Sequence, residues 1–376
     1  MARRARDAPK VELHVHLDGS FAFQTMYDAA KKFRDQLPEE RVCPWEDPET
    51  KTNPVVRPRS ELGDAATLDQ FKEMVTCKAE MGLYPLLQVF YRYLPVVMGR
   101  NELLEELAYR FCEAQKESNV IYSEVRYSPH EFMEEQFKAE PPSGMARDIV
   151  VAVSKGLDRG MKDFGIIVKQ ILCCINFCPQ WSKDTVDTAL ASRDLGVVGV
   201  DLASGEHHFD IEGIHAAHKA AMEAAHVGGM PITIHAGEDG PAKNVKTAVE
   251  VYHAVRIGHG YNLLKDADLY QELKDKIHLE CCPTSSLLTK AVSSADSWTT
   301  HPVRRFLEDG ASVGLNTDDP RVFDITFNSE MDLAQDSIGL SLDQICKCTV
   351  NAIEAAFCAS EMKASLRQQV EAWYSG

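Results

Sequence analysis

The sequence has no uninterrupted apolar run long enough to cross a bilayer, although 44% of its 376 residues are hydrophobic, so composition excludes a membrane-spanning reading. It also has no surplus of positive charge. The net charge is -17, and phosphate contacts need clustered Lys and Arg, so no nucleic-acid partner is expected and a neutral or cationic small molecule fits better. The basic start Met1-Ala2-Arg3-Arg4-Ala5-Arg6-Asp7 is not followed by the apolar core of a signal peptide, and no Asn-x-Ser/Thr acceptor occurs. The eleven cysteines are an odd set, and the adjacent pairs Cys173-Cys174 and Cys281-Cys282 fall in strand-like segments. Neighbours on a strand point to opposite faces, so the expectation is reduced thiols in a cytoplasmic protein and no disulfide framework. Internal repeats and low-complexity tails are absent, which leaves a single domain over 1–376 as the economical reading.

What is present is a series of eight apolar runs bounded by turn signals, at 11–16, 120–127, 166–176, 197–203, 231–235, 256–259, 277–282 and 311–317. Most are separated by stretches of helical periodicity, and many are continuously apolar, as strands buried on both faces should be. Eight strands with intervening helices predict an α/β fold, the (β/α)8 TIM barrel. Leu103, Leu104, Leu107, Ala108, Phe111 and Cys112 recur at helical spacing behind Asn101, which is suited to capping. The interval from about 20 to 118 is too long for one crossover. It reads as a helical cap inserted after the first strand: a helix over 21–33, a polar loop over 34–64, and helices near 67–81 and 83–97. Such a cap would sit over the C-terminal mouth and exclude water.

The run Val11-Glu12-Leu13-His14-Val15-His16-Leu17-Asp18-Gly19-Ser20 carries two histidines one residue apart, so both imidazoles leave the same face of a strand. A third histidine stands in Thr233-Ile234-His235-Ala236-Gly237-Glu238, a fourth in Ile257-Gly258-His259-Gly260, and two carboxylates in Asn316-Thr317-Asp318-Asp319-Pro320. All fall at the C-terminal ends of their strands, where barrels of this kind place their active sites. Three imidazoles and a carboxylate, His14, His16, His235 and Asp318, suit one zinc ion with an open position for water. Zinc lowers the pKa of bound water from about 16 to about 7 in favourable sites, which supplies hydroxide at neutral pH. Expelling a poor leaving group such as ammonia also needs an acid, for which Glu238 is placed. His259 could orient or deprotonate the water, and Asp319 should point away from the metal towards a ring nitrogen of the substrate. Asp201 ends the fourth strand and could close a polar network. His207, His208, His215, His218 and His226 lie in or beside a predicted helix and read as solvated.

These segments, with Glu124-Val125-Arg126-Tyr127-Ser128-Pro129-His130 and Arg256-Ile257-Gly258-His259-Gly260, resemble the adenosine deaminase family of zinc-dependent amidohydrolase barrels through nearly the whole chain. The resemblance implies a metal-dependent hydrolase of purine metabolism that converts adenosine, and 2′-deoxyadenosine, to inosine-type products and ammonia. It implies one Zn2+ per subunit on His14, His16, His235 and Asp318, with hydroxide attacking the purine 6-carbon. Glu238 would protonate the adjacent ring nitrogen, His259 and Asp318 would steer the hydroxide, and Asp319 would contact the imidazole-ring nitrogen of the purine. Asp18 corresponds to the residue facing the ribose hydroxyl, with His16 beside it among the substrate contacts. Leu83, Leu86, Leu87 and Phe90 correspond to an apolar lid. The family commonly has glycine after Asp-Leu-Ala, its backbone N–H meeting the purine. Here Ser204 takes that place and Gly205 follows, so either residue could make the contact. The expectation is a monomer acting on a small molecule.

Relatives with two metals bridged by a carboxylated lysine need that lysine at the end of the fourth strand, where this chain has Asp201-Leu202-Ala203-Ser204. Cytidine-type deaminases need Pro-Cys-x-x-Cys, which is absent. Adenine deaminase and monophosphate-type deaminases are the nearest enzyme alternatives, and a non-catalytic metal-stabilised binding protein is the alternative of a different class.

Overall fold

A computed structural model describes residues 3–47, 50–77, 79–206, 212–293 and 298–376. Eight parallel strands form the centre: β1 Lys10–His16, β2 Val120–Tyr127, β3 Ile167–Ile175, β4 Val197–Ala203, β5 Thr233–Ala236, β6 Arg256–His259, β7 His278–Cys281 and β8 Ser312–Leu315. They pair in sequence order as two four-stranded sheets, β1 to β4 and β5 to β8. Two parallel bridges join the sheets, Val200 with Ile232 and Val15 with Asp318, and close the α/β barrel the sequence predicts.

The β1–β8 seam shows how side chains complete a backbone ladder. Asn316 Oδ1 accepts from both Leu13 N and His14 N, at 2.9 and 3.0 Å. Asp318 N then donates to His14 O at 3.0 Å, and His16 N to Asp318 O at 2.8 Å. Glu12, buried against the helix Asn101–Glu117 by a bond from Gln115 Nε2, accepts from Thr317 N and Oγ1. Val11 and Leu13, on either side of a register shift in β1, meet Ala352 and Ile353 of the helix Leu342–Ala355. The helices Asn101–Glu117 and Met145–Phe164 touch at Gly156, where a Cβ would overlap Glu105 O.

Four local expectations are corrected. The helix near 67–81 is Leu68–Val75; it stops because Cys77 N donates to Val322 O at 2.7 Å, in the loop after β8, and Thr76 is extended. Asn101 is the first helical residue and not the cap; the N-cap is Arg100, whose guanidinium takes the carbonyls of Pro95, Val96 and Met98 instead. The polar stretch 34–64 carries an antiparallel ribbon, Arg41–Val42 with Val55–Val56, and a turn at Arg59–Gly63. His218 is buried between Ser182 Oγ and Asn176 O, a satisfied core imidazole; His207 and His208 lie outside the described residues. No helix among the described residues is long and apolar enough to cross a membrane.

Candidate metal centre and active site

The strand ends bring the distant histidines and carboxylates together at the C-terminal mouth. His14 Nε2 lies 3.2 Å from Asp318 Oδ1, His16 Nε2 lies 3.3 Å from the same oxygen, and His16 Nε2 is 3.2 Å from His235 Nε2. The other ring nitrogens face carboxylates: His14 Nδ1 meets Glu280 Oε2 at 2.7 Å and His235 Nδ1 meets Asp201 Oδ2 at 2.9 Å. A carboxylate that accepts Nδ1–H leaves Nε2 with its lone pair, the tautomer a cation needs. His14 Nε2 is buried and has no hydrogen-bond partner. Asp318 thus joins two donor groups, one with His14 and His235 and the other with His16 and Asp319, and such nitrogen and carboxylate donors fit a divalent cation.

His259 also belongs to this cluster, and its ligand atom lies within 4.8 Å of those of His14, His235 and Asp318. It addresses a different oxygen. His259 Nε2 faces Asp318 Oδ2 at 3.8 Å and Glu238 Oε2 at 3.5 Å, while Ser285 Oγ donates to the same Oδ2 at 2.7 Å. His14 and His16 share Oδ1, so the two faces of Asp318 are divided between them and His259. Both Asp318 and His259 have left-handed backbones, with φ of 64° and 66°, a conformation that among non-glycine residues Asp and His adopt more readily than most. Gly258 makes room for the cluster: a Cβ there would lie 2.8 Å from His14 Cε1.

Beneath the cluster, the barrel interior is a charged network, of which sequence reasoning expected Asp201 and missed Glu124, Arg126, Arg256 and Glu280. Arg126 donates to Asp201 at 2.9 Å and to Glu280 at 2.7 Å, and Arg256 donates to Glu280 at 2.6 Å and Glu124 at 2.5 Å. Burial alone would raise Asp201 and Glu280, but His235 with Arg126, and Arg126 with Arg256, outweigh it and hold both carboxylates low. The available signal was period-two charge inside apolar runs, Glu124 and Arg126 in one and Glu280 in another.

Above the cluster the tendency reverses. Burial and the Asp318 charge push Glu238 and Asp319 well above the ordinary carboxylate range, and burial pushes Asp18 up to about 7. Burial pushes His259 down, so its imidazole is neutral. Glu238 Oε1 and Asp319 Oδ1 are buried without partners. Asp319 approaches the backbone at Gly19 so closely that a Cβ there would collide with its Oδ1.

A cavity opens over these groups. Among its walls are His16, Asp18, Glu238, His259, Asp318 and Asp319, and the helix Leu83–Tyr93 contributes Leu83, Leu86, Leu87 and Phe90. Ser204 also lines it, with φ of 79°; Gly205 is not among its walls and packs against Tyr84. Trp45, from the stretch 34–64, forms further wall with Tyr91 and Phe177 at ring separations of 4.7 and 5.0 Å; an isolated tryptophan in a polar stretch was its only sequence signal. No Lys or Arg is among the described residues lining this cavity.

The family model for adenosine deaminase matches residues 60–373. The curated adenosine deaminase of Xenopus tropicalis is 37% identical over 382 residues, covering 99% of this chain and 98% of that protein. A solved amidohydrolase from Burkholderia ambifaria, with bound Zn, has a TM-score of 0.79 over 99% of this chain and 92% of that one, at 22% identity, a likeness of fold alone. The crystal structure of an Arabidopsis N6-mAMP deaminase has a TM-score of 0.76 at 25% identity, over 98% and 99% of the two chains.

Proposed function

Because this chain belongs to the adenosine deaminase family and is a hydrolase of that family, we propose that it replaces the 6-amino group of adenosine, and of 2′-deoxyadenosine, with oxygen from water and releases ammonia. The observation that carries this reading is the convergence of the His14, His16 and His235 nitrogens with Asp318 Oδ1, next to a buried carboxyl, Glu238, that favours its protonated form. His14, His16, His235 and Asp318 would hold one zinc ion, which when bound would acidify a water molecule and supply a nucleophile at neutral pH.

The remaining work falls to the chain's own groups. Glu238 donates its proton to the purine ring nitrogen beside the reacting carbon, which makes the ring accept electrons and lets the amine leave. His259, neutral through burial, and Asp318 orient the attacking water and can take its proton. Asp319, favoured in its protonated form by burial, donates to the imidazole-ring nitrogen of the purine. Asp18 and His16 face the ribose, and the backbone N–H of Ser204 meets the base, a role that its place in the cavity wall favours over Gly205. Leu83, Leu86, Leu87 and Phe90, carried by the cap over 20–118 of a single domain 1–376, cover the substrate and keep bulk water out.

A wall whose described residues include no Lys or Arg, but carry the carboxylates of Asp18, Glu131, Glu238, Asp318 and Asp319, favours a nucleoside over its monophosphate. The eleven cysteines are unpaired, which supports a cytoplasmic placement, and elution near 42 kDa on gel filtration would establish the monomer. The central test is an ultraviolet assay of adenosine, adenine and adenosine monophosphate, before and after chelation. Adenosine should be turned over at least about 100-fold faster than the others, with activity lost to chelator and restored by zinc. Faster turnover of adenine or of the monophosphate, or full activity in metal-free protein, would overturn the reading.

A further inference from the structure

The four successive backbone N–H groups of residues 237–240, the turn that carries Glu238, all donate to one buried carboxylate. Glu206 Oε2 accepts from Gly237 N at 2.8 Å, and Oε1 accepts from Glu238 N at 2.7 Å, Asp239 N at 3.1 Å and Gly240 N at 3.1 Å. Asn244 Nδ2 adds a fifth bond to Oε2 at 2.9 Å. Glu206 N returns a bond to Asp239 Oδ1 at 3.0 Å. The carbonyl side of the same turn is held by Asn262, whose Nδ2 donates to Glu238 O at 2.9 Å and Gly240 O at 2.8 Å, and whose backbone N donates to Gly237 O at 2.8 Å.

Consecutive N–H groups curled around one point form a nest that ordinarily captures an anion. Here the acceptor is part of the chain: burial and the Asp239 charge push Glu206 up to about 7, and the five donors oppose that by favouring its charged form. Glu206 is buried and is not among the residues lining the cavity. Glu238 Oε1 is unpartnered, and beyond Thr289 and His259 beside its carboxyl the group takes its place from its backbone, which is shaped around Glu206. We infer that Glu206 is the positioning residue of the reaction, setting where the Glu238 proton is delivered while touching neither substrate nor metal. The inference rests on Glu238 being the proton donor.

The test is a cycle of Glu206→Gln and Glu238→Gln in zinc-loaded enzyme. An amide at 206 turns one acceptor into a donor facing other donors, which distorts the turn. Glu206→Gln should lower kcat for adenosine by about 100-fold, the scale of a misplaced reacting group, with KM changed less than about threefold and zinc content by elemental analysis unchanged. In the Glu238→Gln background, the same substitution should cost less than about twofold in single-turnover rate, since the group it positions is already gone. An equal loss in both backgrounds, or wild-type kcat in Glu206→Gln, overturns the inference. Wild-type kcat in Glu238→Gln alone would instead overturn the assignment beneath it. Should Glu206→Gln fail to fold, Gly240→Ala replaces it in the same cycle, since a Cβ there would lie 2.5 Å from Glu206 Oε2 and displace the carboxylate from its nest.

Discussion

The two halves of the barrel interior treat charge in opposite ways. In the lower half, Glu124, Asp201 and Glu280 each meet a guanidinium or an imidazole, and Asp201 and Glu280 are held low. At the mouth, Asp18, Glu238 and Asp319 crowd together with Asp318, no Lys or Arg among the described residues lines the cavity, and buried polar atoms lack partners. The cluster of histidines lies between, each of His14 and His235 turning one nitrogen towards the lower carboxylates. The difference separates two jobs: the lower half fixes geometry, and the upper half keeps groups unsatisfied for what enters.

Substitutions can break this comparison, because variants of the upper carboxylates should act chiefly on turnover, whereas lower variants should act chiefly on stability and on the metal affinity of the histidines they hold. Asp318→Ala stands at the junction and should have the largest effect, at least about 10⁴-fold in kcat/KM, with zinc content falling well below one per chain by elemental analysis. Glu238→Gln should lower kcat by about 10³-fold with zinc retained; lost metal would place Glu238 on the wrong side of the divide. Glu280→Gln strips the partner from His14, Arg126 and Arg256, and should destabilise by about 3 kcal/mol, read as a drop in Tm of the metal-free protein. Asp201→Asn frees the orientation of His235 and should weaken zinc binding by about 10- to 100-fold in a chelator competition. Ser204→Gly should have the smallest effect: relief of a left-handed serine stabilises by about 1 kcal/mol, seen as a small rise in Tm.

The upper half was far more legible in the sequence than the lower. His14, His16, His235, His259, Asp318 and Asp319 end apolar runs, and the run boundaries agree with the strands to within a few residues because strands buried on both faces leave unbroken apolar signatures. The lower network shows locally only as charges inside apolar runs, and its pairing is hidden, since Arg126, Asp201 and Glu280 are partners across three strands and up to 154 positions of sequence. Glu206 was overlooked for the same reason, because its five partners come from residues 237–244. Nor could periodicity place Trp45, which is buried by tertiary packing against Tyr91 and Phe177 within a stretch that reads as polar loop. The left-handed backbones of His259 and Asp318 fall on two residue types that tolerate that conformation better than most, which no local pattern in the sequence marks.

Asp318 is both a member of the histidine cluster and the residue that bridges the last strand to the first, exchanging backbone bonds with His14 and His16. Competence therefore arrives with ring closure. A ribosome-bound fragment that stops short of β8 has its first two imidazoles but no carboxylate between them, so catalysis should switch on only after some three hundred further residues have been made. Native contacts so remote in sequence also form slowly, which makes the recovery of metal binding on refolding a direct clock for the closing of the barrel.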